Sequence, residues 1–428
     1  MSQKAQKPKI NKQFLNSVKL TSEGDEFIWD RELKGFGLKV TPNGISYIAQ
    51  GRVNGKAKRI TIGKHGTFTP DQARAEAADR LRDMRHGIDP VKMKKSKKIE
   101  SQTLAQVAET YKSNKRTREG FPLKENTKKD IDRHLSETFK DWKDRPLSAL
   151  TRDMVSKRYV EAAKNSIARA NQGFRILRAL YNWERKRTKK DSGDYVLANN
   201  PVDILTDLEM WGHVPTRNSK IPVEKMGKAW LFLKERRSNP ALSELSRTAT
   251  ELVMLMVLTG LRKKEEAASL TWKQLDLKDE SLHLPDPKNR MPVIIPISTQ
   301  LAGMLKERPK ENDFVFPSHS KTGHIVDVRD CLELISKEIS ENSITSHDLR
   351  RTFRAVAIKA GVEDYKIKLL MNHKLSSSDA AFASYTEKSD VRYLREDTQK
   401  ISDWIERQAS ISSTEKVIDL EHAKAKSA

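Results

Sequence analysis

Two Asn-Gly dipeptides, at 43–44 and 54–55, separate runs of alternating apolar and polar residues: "FIWDRELKGFGLKV", "ISYIAQGRV" and "KRITIG". Asn and Gly reach the left-handed backbone of a tight hairpin at low cost, and an alternating run buries one face of a strand. Residues 27–63 therefore predict a small antiparallel sheet. The period of two then disappears. "DQARAEAADRLRDMRHG" opens on an acid, is rich in Ala and Leu and closes on Gly87, which predicts one helix and completes a compact α+β module over residues 11–90.

The next stretch, "DPVKMKKSKKIES", has lysines at 92, 94, 95, 97 and 98 and little to bury. It reads as a solvated linker, or, in contact with DNA, as a segment lying on phosphates. From there on the apolar residues recur at helical intervals. Thr103 and Gln106 have capping-box spacing in "TLAQVAETY", and "ENTKKDIDRHLSETF", "TRDMVSKRYVEAAKN" and "SIARANQGFRILRALYNWERKR" each predict a helix. In the last, Ile167, Phe174, Leu177 and Tyr181 are the expected buried stripe; Arg169, Arg175, Arg178, Arg185 and Arg187 occupy other positions, a face that suits a DNA backbone or simply water.

"DSGDYVLANNPVDIL" breaks the pattern with Gly, Asn and Pro, so a domain boundary is expected between residues 190 and 220. After it, the apolar helix "LSRTATELVMLMVL" runs into the turn "TGLRKKEEAASLTW", "SLHLPDPKNRMPVIIPIS" predicts two short strands around a proline-bearing tip, and helices follow. The closing "STEKVIDLEHAKAKSA" is polar, a tail or a docking helix. The expected fold class is multidomain and mainly α: a small α+β amino-terminal module with its basic linker over 1–98, an all-α domain over 99–195, and a mainly α domain with a small antiparallel hairpin over 196–428.

Lys and Arg number 81 against 58 Asp and Glu, a formal charge of +23, which points to a polyanionic partner, nucleic acid before any other. The longest aliphatic run, "LVMLMVL" at 252–258, is too short to span a bilayer, and "MSQKAQKPKINKQ" lacks the apolar segment of a secretory signal. No membrane role and a cytoplasmic location are expected. Cys331 is the single cysteine, which excludes an intrachain disulfide and a thiolate metal cluster; it reads as a small core residue rather than a reactive thiol.

Six residues could act on one phosphodiester. Arg262 stands in "TGLRKKEE", with Glu265 and Glu266 one helical turn on, where a carboxylate can orient a guanidinium; alone, the pair would pass for a surface ion pair. Lys288 sits at the hairpin tip beside Arg290, where most lysines are simply solvated. His347 and Arg350, in "SHDLRRTF", are three apart and share a helix face; His373 follows in "LLMNHK" and Tyr385 in "AFASYTEKSDVRYL". Two arginines can grip the non-bridging oxygens of a phosphodiester, a phenol can attack phosphorus, a histidine can hold the phenolic proton, and a lysine can protonate the departing hydroxyl. Such a site needs no cofactor, and the arginines supply the positive charge that a magnesium ion would otherwise bring.

In this order "TGLR", the lysine before "VIIP", "HDLRRTF", "NHK" and the later tyrosine resemble the motifs of the tyrosine recombinases. Upstream, "DRELKGFGLKVTPNGISYIAQGRVNGKAKRITIG", "TPDQARAEAADR" and "GIDP" resemble the amino-terminal module of prophage and genomic-island integrases of the P4 type, and the middle unit is similar to their core-binding domain. One departure is Asn372, where the family usually has Gly. The resemblance covers residues 11–407. It implies a site-specific recombinase that cuts through a 3′-phosphotyrosine and a Holliday junction without ATP. It also implies Arg262, Lys288, His347, Arg350, His373 and Tyr385 as catalytic residues, double-stranded DNA with core and arm sites as partner, and a homotetramer on that DNA. A host DNA-bending protein and an excisionase are further partners it leaves room for. Two rivals stand beside it: a type IB topoisomerase-like enzyme using much the same residues, and a non-catalytic DNA-binding protein on the same scaffold.

Overall fold

The computed structural model describes the backbone of residues 7–190, 192–373 and 389–427, and the side chains of these residues except 264, 265 and 415–427. The chain forms two compact units, Met1–Pro215 and Thr216–Ala428.

The first unit opens with α1 (Lys12–Ser17) and the strands β1 (Glu26–Trp29), β2 (Phe36–Thr41), β3 (Gly44–Val53) and β4 (Lys56–Lys64), an antiparallel meander in sequence order. The second predicted turn is as expected: Asn54 and Gly55 both have positive φ, and Val53 pairs with Lys56 across them. The first differs. Pro42 and Asn43 make the turn, closed by Thr41, whose hydroxyl accepts from the Asn43 amide and donates to the Gly44 carbonyl, while Gly44 already belongs to β3.

Alternation sends Phe36, Leu38, Tyr47 and Ala49 to one face, where α2 (Pro70–Arg85) covers them with Ala73, Ala77, Leu81 and Met84. A Thr69–Gln72 capping box starts that helix. The other face carries Phe27 stacked on Trp29, with the exposed Arg59 guanidinium 3.9 Å from the Phe27 ring and its Nε donating to Gln50 at 2.6 Å.

The lysine-rich stretch is not an unstructured linker. It is α3 (Pro90–Glu100), N-capped by Asp89, which accepts from the Val91 and Lys92 amides, with Pro90 at the first helical position. It buries no residue, so propensity and capping carry it.

A separate core joins α4 (Leu104–Asn114), α5 (Glu125–Ser136), α6 (Arg152–Asn165), α7 (Ile167–Arg187) and the short α8 (Ile204–Asp207). Leu197, Val202 and Leu205 pack into it as well. On α7 the buried stripe is Ala170, Phe174, Leu177 and Tyr181; Ile167, expected to begin it, is 40% exposed, at the first helical position, beyond the end of the packed stripe. The arginines of α7 are engaged: Arg169 with Glu137, Arg178 with Asp203 and Arg187 with Glu184, while Arg175 lies over Trp211 and Arg185 over Tyr195. The exposed pairs, Arg169–Glu137 and Arg178–Asp203, are worth roughly 0–1 kcal/mol each, so a phosphate can compete for them; Glu184 is buried, and its pair with Arg187 belongs to the core.

The second unit is built on α9 (Met226–Ser238) and α10 (Glu244–Thr259), whose "LVMLMVL" run is buried. A three-stranded antiparallel sheet follows, β5 (Leu275–Asp276), β6 (Ser281–Leu284) and β7 (Val293–Pro296), then α11 (Thr299–Lys306), α12 (Arg329–Glu338), α13 (Ser346–Lys359), α14 (Asp364–Leu370) and α15 (Arg395–Ser427). Residues 389–391 run beside β7: Ile294 donates to the Ser389 carbonyl and Val391 donates back to Ile294. Cys331 is buried in this core, and burial pushes its thiol pKa up, as expected of a packing residue. No helix among the described residues is long and apolar enough to cross a membrane.

Candidate DNA-cleavage site

Three helix ends converge in the second unit. The first is the C-terminus of α10, where Gly260 takes the left-handed conformation (φ 65°) and turns the chain into Leu261 and Arg262. Residues Lys263–Ala267 then make one π-helical turn, which brings Glu266 back beneath Arg262. The Glu266 carboxylate, fully buried, accepts from the Arg262 amide at 2.9 Å and from its guanidinium at 2.6 Å. Of the two acids weighed in sequence, Glu266 does the holding; the Glu265 side chain lies outside the described residues.

The second is α13. A Thr345–Asp348 capping box opens it, and the buried Asp348 also pairs with Arg351. Arg350 is only 4% exposed. Its Nη1 donates to the Gly260 carbonyl at 2.7 Å, its Nη2 to the Met371 carbonyl and its Nε to Nε2 of His373 at 3.2 Å; the Glu266 carboxylate lies 3.8 Å away. Burial, then the nearby Arg262 charge, push its pKa down to about 10, which still leaves it cationic at neutral pH. His347, one turn earlier, is exposed; what burial it has, followed by the Arg351 charge, lowers its pKa.

The third is the C-terminus of α14, from which Met371, Asn372 and His373 follow. Burial and then the charges of Arg350 and Arg262 push His373 down to about 4, so at neutral pH its ring is uncharged. Because Nε2 accepts from Arg350, the ring proton resides on Nδ1. Arg262, His347, Arg350 and His373 thus lie close enough for each histidine to feel both arginine charges.

Lys288 is exposed on the β6–β7 loop, in a tight turn closed by the Arg290 amide donating to the Pro287 carbonyl at 2.9 Å. Tyr385 falls in residues 374–388, outside the described residues. Among the described residues no cluster of three or more His, Cys, Asp or Glu side chains could hold a metal ion. Sequence reasoning passed over Asn289, whose side chain bonds Asn372; no local pattern marks it, although the departure at Asn372 was visible.

Two buried or half-buried arginines, one on a carboxylate leash and one held by carbonyls, form a preorganised cationic pair suited to a phosphodiester. The family comparison agrees: the phage integrase family model matches residues 232–391, and the Arm DNA-binding domain model matches residues 7–97. The chain is a tyrosine recombinase of the phage integrase family, an enzyme class that cuts and rejoins DNA strands. It is 26% identical to prophage integrase IntF of Escherichia coli K12, over 90% of this chain and 88% of that protein. It is 24% identical to the integrase of Shigella phage Sf6, over 83% and 88%. Among solved structures, a lambda integrase dimer bound to a COC′ core site covers 81% of this chain and 93% of its own at 15% identity and TM-score 0.48. The Tn1549 transposon integrase with a circular-intermediate DNA covers 66% and 99% at 15% identity and TM-score 0.49.

Proposed function

We propose that this recombinase integrates and excises a prophage or genomic island through a 3′-phosphotyrosine on Tyr385 and a Holliday junction. The observation that carries the reading is the pairing of Arg262 and Arg350 around one buried carboxylate, Glu266, inside the segment that matches the phage integrase family. In this reading both arginines grip the scissile phosphate. The phenol of Tyr385 attacks phosphorus, the P–O5′ bond breaks, and Lys288 protonates the departing 5′ oxygen. His373, neutral and hydrogen-bonded to Arg350, holds that guanidinium in the plane of the phosphate, and His347 takes or holds the phenolic proton.

The three expected regions divide the work: residues 1–98 bind arm sites, 99–195 clasp the core site, and 196–428 carry the chemistry. The charged open sheet face around Arg59, Gln50 and Phe27 supports a nucleic-acid role for the first. Four protomers act together on two duplexes, and a host DNA-bending protein and an excisionase set direction. The reaction needs no bound cofactor. Incubating the protein with two duplexes carrying the element's own end sequences, one of them labelled, tests the reading. Joined recombinant products support it. Relaxation of a supercoiled plasmid without strand exchange would point to a topoisomerase, and DNA binding with neither outcome to a scaffold without catalysis.

A further inference from the structure

The departure from the family pattern at Asn372 has a structural counterpart. Asn372 is 8% exposed and adopts φ +48°, the left-handed region in which Gly is at ease and Asn is the best-tolerated alternative. Its side chain is not idle. Asn289 Nδ2 donates to the Asn372 backbone carbonyl and to its side-chain oxygen, both at 2.9 Å, and Asn372 Nδ2 donates to the Met291 carbonyl at 3.1 Å. Asn289 in turn accepts from the Met291 amide at 3.2 Å, so its amide is fixed at both ends. The two asparagines are 83 residues apart in sequence, and their bonds join the turn that carries Lys288 to the residue immediately before His373.

We propose that Asn289 and Asn372 form a clasp that positions Lys288 for proton delivery, by fixing its turn to the α14 end that also holds His373 and Arg350. A glycine at 372 would keep the backbone path and lose the side-chain half of this connection. The exposed lysine has a long flexible stem, so its reach to a departing oxygen depends on where its turn is anchored. As the bond from phosphorus to the 5′ oxygen breaks, the electron pair leaves on that oxygen and the Lys288 ammonium supplies the proton, ending neutral. The inference rests on the role given to Lys288 above, and the test separates the two.

The full-length protein, its Lys288→Ala, Asn372→Gly and Asn289→Ala variants and the Asn289→Ala/Asn372→Gly double variant are compared in single-turnover cleavage of two substrates. One has the ordinary 5′ oxygen at the scissile position; the other has a 5′-phosphorothiolate, whose thiolate leaves without a proton. Each asparagine variant is expected to cut the oxygen substrate about 10- to 100-fold more slowly, the scale of a misplaced catalytic group, and the sulfur substrate at close to the unaltered rate. The double variant is expected to be no worse than the poorer single variant, since one clasp is lost once. Asn372→Gly suits its own backbone conformation, so a folding failure is not built into the test. Equal loss on both substrates, or no loss on the oxygen substrate, would overturn the clasp while sulfur rescue of Lys288→Ala stands. If sulfur fails to rescue Lys288→Ala, the role of Lys288 falls and the clasp proposal falls with it.

Discussion

Arg350→Lys keeps a positive charge where the account needs one, and the structure predicts that the charge is not enough. The guanidinium directs three donors to three fixed acceptors: the Gly260 carbonyl, the Met371 carbonyl and His373 Nε2. A lysine ammonium on a single stem can approach one of the two carbonyls, which leaves the other without its donor at a site only 4% exposed. A buried acceptor stripped of its partner costs about 1–3 kcal/mol. For a unit of this size that corresponds to a fall in Tm of roughly 2–12 °C, on top of a loss of cleavage by orders of magnitude as the planar grip on the phosphate disappears. Arg262→Lys is the control. Its side chain is 24% exposed and, among the described residues, is held by Glu266, so it should lose cleavage with a smaller shift in Tm. Differential scanning calorimetry beside single-turnover cleavage reads both effects. If the two variants melt at the same temperature as the unaltered protein, the reasoning from the buried carbonyls is refuted.

Glu266→Gln removes the buried charge shared by the two arginines while keeping the shape, and cleavage should drop about tenfold or more with core-site binding retained; unchanged single-turnover rates would refute its positioning role. His373 has its folded pKa lowered to about 4, so the unfolded chain binds its proton first as pH falls. The stability this group contributes is full above its unfolded pKa near 6.5 and is lost as pH drops from there towards 4, a slope that urea titrations should find reduced in His373→Gln. Gly260→Ala must place a Cβ 2.6 Å from Phe353 at positive φ, at the residue whose carbonyl holds Arg350; a cost on the order of 1–3 kcal/mol in chemical denaturation is expected, and a neutral result would contradict the turn geometry.

Much of this was legible in the sequence because it is written in local periodicity. The Asn54-Gly55 turn, the Ala- and Leu-rich α2 and the buried run of α10 each follow from residues within one turn or one strand. Helix α3 escaped because its cue was not a buried stripe but an Asp-Pro start, and its lysines resemble a solvated linker. Ile167 misled for the opposite reason: it fits the period but is the first residue of α7, beyond the end of the packed stripe. In the site, the TGLR and HDLRRTF motifs named Arg262 and Arg350, but nothing local says that Arg350 is buried by two carbonyls from distant loops. The Asn289–Asn372 bonds join residues 83 apart, and such pairs become visible only when the fold brings the two loops together. The two arginines, read as a grip on phosphate from their order alone, do converge on one carboxylate.

The central claim is that this arginine pair serves a covalent attack by Tyr385, and the measurement that tests it most directly is mass spectrometry of the trapped intermediate. The protein is incubated with a nicked duplex from the element's own end, so that the freed strand diffuses away and the covalent complex accumulates, and the complex is then digested and its nucleotide-bearing peptide sequenced. The account predicts a 3′-phosphotyrosine on Tyr385, absent from Tyr385→Phe while that variant still binds the duplex. An adduct on another residue, or one that persists in Tyr385→Phe, would contradict it.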